Sequence, residues 1–69
     1  MTRIRIVVNG EDREVPAELT ITGLLADMGL SEKRVAVEKN QAIVPRSRHE
    51  TTGLSDGDRI EIVTAIGGG

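Results

Sequence analysis

Three consecutive glycines, Gly67-Gly68-Gly69, close the sequence, and they are the residues in it that point most directly to chemistry. Glycine has no Cβ and loses the most conformational entropy on ordering, so a run of it after an apolar stretch makes poor structure and a good thread. Extended at about 3.3 to 3.6 Å per residue, the run reaches roughly 10 Å and fits a channel too narrow for other residue types. What it would carry there is the α-carboxyl of Gly69, an anion at neutral pH and therefore a poor electrophile. Activation has to come from outside. Adenylation by ATP gives a mixed anhydride whose carbonyl carbon accepts a nucleophile, and a sulfur nucleophile leaves a thiocarboxylate on Gly69. Gly67 and Gly68 are then the tail that a partner's channel admits.

The rest of the chain offers no groups for catalysing that reaction itself. With no Cys, thiol nucleophiles, thiolate metal sites and disulfides are excluded. No glycine-rich loop of the phosphate-cradling kind is present. His49, the single histidine, lies in a polar stretch without a recognisable Ser or Cys partner, and reads as a solvated loop residue rather than a general base. Asp56-Gly57-Asp58 lacks the further oxygen ligands and distal Glu of a calcium loop, and reads as a turn before a strand. No catalytic and no metal-binding residue is assigned, and no cofactor is expected on this chain, ATP being used by the adenylating partner. The candidate partner contacts are Ile43, Val44 and Ile66, apolar residues near an edge and beside the tail, together with Arg46. Burial in the core is the alternative for Ile66, and a solvated loop the alternative for Arg46 and Arg48.

The elements that must position this tail belong to one small α+β domain. A chain of 69 residues allows a single core, and one of this size buries only roughly 60% of its unfolded surface. With no Phe, Tyr or Trp, that core is built from Val, Ile, Leu, Met and Ala and supplies no stacking platform for bases. Nine Lys and Arg against eleven Asp and Glu leave a formal charge of -2 and no basic tract, which argues against nucleic acid as a partner. No apolar run approaches the ~20 residues of a membrane span, and residues 1–8 alternate charge with apolar side chains, unlike a signal peptide. A cytoplasmic protein, monomeric when free, is expected.

Ile4, Ile6 and Val8 alternate with Arg3 and Arg5, the period of a half-buried strand, and Asn9-Gly10 suits a two-residue hairpin turn into a second strand that stops at Pro16. Ile21, Leu24, Leu25 and Met28 then fall on one helical stripe, with Thr20 as N-cap and Gly29 just past the C-terminus. Gly23 is a misfit inside that helix. Val35-Ala36-Val37 reads as a third strand, Ile43-Val44 as a short edge piece, 46–55 as an irregular loop, and Arg59 to Ile66 as the last strand with Ile60, Ile62 and Ile66 on one face. The order predicts a β-grasp, a mixed sheet of four to five strands packed on one main helix. Residues 1–66 form the domain and 67–69 the flexible glycine tail.

Several stretches, in order and at their spacing, resemble the ThiS-type sulfur carriers of thiamin biosynthesis: Val35-Ala36-Val37-Glu38-Lys39-Asn40, Ile43-Val44-Pro45-Arg46, Leu54-Ser55-Asp56-Gly57-Asp58-Arg59-Ile60-Glu61-Ile62 and Ala65-Ile66-Gly67-Gly68-Gly69. The resemblance covers essentially the whole chain. It implies a ubiquitin-like β-grasp protein whose terminal glycine is adenylated by a ThiF-type enzyme, receives sulfur from a donor system, and passes it to a ThiG-type thiazole synthase. Gly69 is then the modified residue and Gly68 its neighbour. Molybdopterin-synthase small subunits and other ubiquitin-like sulfur donors share fold and tail, but usually carry Phe where this chain has none. A β-grasp binding module without covalent chemistry is the reading from another class.

Overall fold

The computed structural model describes residues 2–64. Ile66 and the three glycines Gly67, Gly68 and Gly69 lie outside the described residues.

Alternation builds the first strand as expected. In β1, Arg3–Val8, Ile6 and Val8 are buried while Arg3 and Arg5 are exposed. The chain reverses at Asn9-Gly10, both at positive φ (51° and 84°), so Val8 pairs directly with Glu11 and β2, Glu11–Pro16, returns antiparallel. Positive φ at both central residues gives the turn the twist of the flanking strands, and Asn and Gly tolerate it best.

Helix α1, Ile21–Asp27, is short and closed at both ends by its own sequence. Thr20 caps the N-terminus, its hydroxyl accepting from the Gly23 N–H at 3.2 Å. At the other end Gly29 takes φ 74°, and the Leu30 and Gly29 N–H groups donate to the Leu25 and Ala26 carbonyls at 2.8 and 3.1 Å. That pair of bonds is the Schellman arrangement, in which a left-handed residue lets the chain leave the helix with its last carbonyls satisfied. Ile21, Leu24 and Leu25 point into the core and Met28 packs against it, the stripe read from the sequence.

The remaining strands are β3, Val35–Lys39, β4, Ala42–Val44, and β5, Arg59–Thr64. Among the described residues the sheet has five strands in the order β2-β1-β5-β3-β4. β5 lies at its centre, parallel to β1 and antiparallel to β3. This mixed sheet with one α-helix on its apolar face is the β-grasp arrangement. Ile6, Val15, Val37, Ile60 and Ile62 from the sheet meet Ile21, Leu24 and Leu25 from the helix, with Leu54 closing the cluster.

The stretch 46–55 is more ordered than the irregular loop expected. It opens with a 3₁₀ turn, Arg46–Arg48, and its carbonyls serve the helix: Thr52 accepts from the Ile21 N–H and His49 from the Thr22 N–H, both at 3.0 Å. The first N–H groups of a helix have no partner within it, and here a distant loop supplies acceptors for two of them. Amphipathic periodicity carries no trace of such a role, because the acceptors are backbone atoms.

Candidate functional site

β5 is the strand that leads to the glycines, and it is held from three sides. On the β3 side the ladder runs from Lys39–Ile60 through Val37–Ile62 to Val35–Thr64. On the β1 side the main-chain ladder covers only Val7–Arg59 and Val8–Ile60 before β1 turns away. Asn9 continues it by other means: its N–H donates to the Ile60 carbonyl at 2.9 Å, and its side-chain amide then pairs with the backbone of Ile62. At the start of β5, Asp58 is buried, and its carboxylate accepts from the Ser55 N–H at 2.8 Å and the Asn40 amide at 3.0 Å. Lys39 Nζ stands 3.8 Å from the same carboxylate and donates to the Gly53 carbonyl at 3.0 Å. Asp56 accepts from the Arg5 N–H at 2.8 Å. The Asp56-Gly57-Asp58 segment is thus a turn, as read from its sequence, with both carboxylates occupied in fixing where the last strand begins.

The sheet face away from the helix carries the second part of the site. Register places Glu38 between Ile43 of β4 and Glu61 of β5, with Ala36 opposite Val63 in the next row on that face. Ile43 and Val63 are 75% and 64% exposed and are the exposed large hydrophobics among the described residues. Like charges directly across a strand pair are unfavourable, and neither Glu38 nor Glu61 has a cation within ion-pair distance among the described residues. Apolar and acidic groups therefore lie side by side on an open surface. Val63 is absent from the candidate contacts that the sequence offers. Its position is one step out of phase with Ile60 and Ile62, and that phase is the signal that it faces solvent.

The four candidate contacts do not share one surface. Ile43 lies on the open face, whereas Val44, the next residue, turns inward and packs half-buried against the core. Arg46 is exposed on the helix side, at a cleft of about 420 Å³. Ile66 is outside the described residues, as are Gly67, Gly68 and Gly69.

His49 departs from its sequence reading. It is 7% exposed rather than solvated, and its Nε2 lies 3.0 Å from the Val44 carbonyl. A carbonyl only accepts, so Nε2 carries the hydrogen and donates. That bond ties the edge strand to the residue that closes the 3₁₀ turn, which is why a polar residue in a polar stretch is nonetheless inside.

Comparison with known proteins places this geometry. A model described as the ThiS family matches residues 6–69. A thiazole synthase of Paramagnetospirillum magneticum is 44% identical over 66 residues, covering 96% of this chain, and a second from Magnetococcus marinus is 41% identical over the same length. This chain spans 20% of the length of each of those two synthases. The sulfur carrier protein ThiS of Bacillus subtilis is 41% identical over 63 residues, covering 90% of this chain and 96% of that protein. Among solved structures, the crystal structure of the thiamine biosynthesis protein ThiS from Geobacter metallireducens superposes with a TM-score of 0.81 at 30% identity, over 96% of this chain and all of that one.

Proposed function

This chain belongs to the ThiS family, and on that premise we propose that it is a sulfur carrier of thiamin biosynthesis. Its Gly69 carboxyl is adenylated, converted to a thiocarboxylate, and gives up its sulfur for thiazole formation. The observation that carries this reading is the family match running through to Gly69, on a fold whose central strand, β5, is the element that precedes the glycines in sequence. The similarity to two thiazole synthases over nearly the whole chain supports the thiamin branch over other sulfur-transfer pathways.

On this reading the chain is a co-substrate and not an enzyme. A ThiF-type adenylating enzyme binds the ATP and this chain binds none; a sulfur donor system delivers the sulfur, and a ThiG-type synthase takes it. The carrier is monomeric when free and works in the cytoplasm. Among the described residues no helix is long and apolar enough to cross a membrane. A glycine tail has no side chains by which a partner can recognise it, so selection falls to the folded domain. The open face with Ile43 and Val63 beside Glu38 and Glu61 suits that task, since exposed apolar groups mark partner surfaces and the acid pair complements a basic partner.

Intact-mass measurement tests the reading. Incubated with ATP, a sulfur donor and the adenylating enzyme, the chain should gain the mass of one oxygen exchanged for sulfur, located on Gly69 by fragmentation. A variant lacking Gly69 should gain nothing while melting at the same temperature. An unchanged mass in the full chain, or a modified chain without Gly69, overturns the assignment.

A further inference from the structure

The cleft on the helix side of β4 lies on the opposite side of the sheet from Ile43 and Val63, and its walls bring apolar, hydroxyl and cationic side chains together. It has a volume of about 420 Å³ and lies between α1, the segment that enters β3, and the 46–51 turn. Leu25 and Val35 form an apolar floor, and Lys33 and Arg46 stand at its rim against one carboxylate, Glu50. The cleft is thus locally cationic in a chain whose formal charge is -2. Thr22 and Ser47 also line it, and among the described residues their hydroxyls make no side-chain hydrogen bond.

His49 supplies the independent observation. The residue is more than nine-tenths buried, its Nε2 is engaged by the Val44 carbonyl, and it borders the cleft. No buried side-chain nitrogen or oxygen among the described residues lacks a partner. Nδ1 has no hydrogen-bond partner among the described residues, so it keeps contact with solvent. The result is an imidazole at the wall of the cleft with one nitrogen held by a backbone carbonyl and the other free to bond a ligand.

From these residues we propose that the cleft binds a small phosphomonoester. The phosphoryl oxygens lie between Lys33 and Arg46 and take hydrogen bonds from the Thr22 and Ser47 hydroxyls, the donor-rich setting that a tetrahedral oxyanion requires. His49 Nδ1 shares a proton with the remaining oxygen: a neutral imidazole accepts from P–OH, an imidazolium donates to P–O⁻, and the hydrogen bond is the same in both cases. Leu25 and Val35 cover the ester's carbon atoms. Binding here is independent of the tail and goes beyond the carrier reading.

Titration of the full chain by amide and imidazole nitrogen NMR, with inorganic phosphate and with a sugar phosphomonoester at constant ionic strength, tests it. Saturable shifts are expected at Thr22, at 33–35 and 46–51, and at His49 Nδ1, with the ester binding more tightly than phosphate. Replacing both cations, Lys33→Gln with Arg46→Gln, should weaken the ester about tenfold without changing the melting temperature, and deletion of Gly69 should leave binding as it was. Non-saturating shifts, shifts spread equally over Arg3, Arg5 and Arg13, or affinity unaltered in the double variant overturn the site. Equal affinity for phosphate and ester overturns the role given to Leu25 and Val35.

Discussion

The side-chain amide of Asn9 is paired with both backbone groups of Ile62, accepting from its N–H at 2.8 Å and donating to its carbonyl at 3.2 Å, across 53 positions of sequence. A side chain here does the work of a strand residue, extending the β1 ladder along β5 after the β1 backbone has turned away. The same residue holds φ 51° in the hairpin turn, so one asparagine joins the first turn of the chain to its last strand.

That double role makes Asn9 separable by two substitutions. Asn9→Ala removes both bonds and puts a less tolerant residue at positive φ, and should cost about 2 kcal/mol. Asn9→Gly keeps the turn and loses only the pairing, and should cost roughly 1 kcal/mol. Urea unfolding with an unchanged m-value measures both. Equal stability of the three proteins would show that the Ile62 groups find water as readily as Asn9.

His49 should be a structural residue of the β4 edge. His49→Ala leaves a void under β4 and the Val44 carbonyl without its donor, at a cost of about 2 kcal/mol. Amide exchange should rise first at Ala42–Val44 and at Thr22, whose N–H donates to the His49 carbonyl. His49→Gln, which retains a donor of similar reach, should recover part of the loss. Exchange accelerated uniformly over the sheet would place the effect elsewhere.

Much of this architecture is legible in the sequence. The alternation of Ile4, Ile6 and Val8, the stripe of Ile21, Leu24, Leu25 and Met28, and the cap positions Thr20 and Gly29 are signals carried by local spacing, and each element appears where that spacing put it. Local spacing misses the burial of His49 and the order of 46–55 because both come from partners in other elements: a β4 carbonyl for the ring, a helix N-terminus for the loop carbonyls. Neither leaves a periodic trace. The same holds for the open face, where Glu38 meets Ile43 and Glu61 only once the register of three strands is known.

Gly23 illustrates a signal whose cause lay in a neighbour. A Cβ at this position would stand 2.6 Å from the Leu19 Cδ1 and 3.3 Å from its Cγ. Leu19 packs half-buried against the core, so its side chain can rotate but not leave without loss. Gly23→Ala gains up to ~1 kcal/mol of helix propensity, and the displaced Leu19 gives back a similar amount, so the melting temperature should barely move. Gly23→Val adds a branch at the same crowded point and should destabilise by about 2 kcal/mol. With Leu19→Ala as background, Gly23→Ala should become clearly stabilising. The absence of that coupling would remove Leu19 as the reason for glycine.

Ile43 and Val44 are consecutive residues on opposite faces of one edge strand, which turns a question about partners into a clean contrast. Val44 packs against the core, and Val44→Ser should cost about 1 to 2 kcal/mol through lost apolar burial and a hydroxyl placed against aliphatic neighbours. Ile43 is 75% exposed, and Ile43→Ser should change stability by less than about 0.5 kcal/mol. Partner recognition should follow the reverse order. If the open face is where the adenylating enzyme reads this carrier, Ile43→Ser raises the concentration of chain needed for half-maximal activation of Gly69 several-fold and leaves the maximal rate alone, because a docking contact acts before the carboxyl is positioned. Val44→Ser, compared at a temperature where it is fully folded, should activate normally. A Val44 variant that docks poorly while Ile43→Ser docks as well as the parent would move the recognition surface off the open face and toward the helix side of β4.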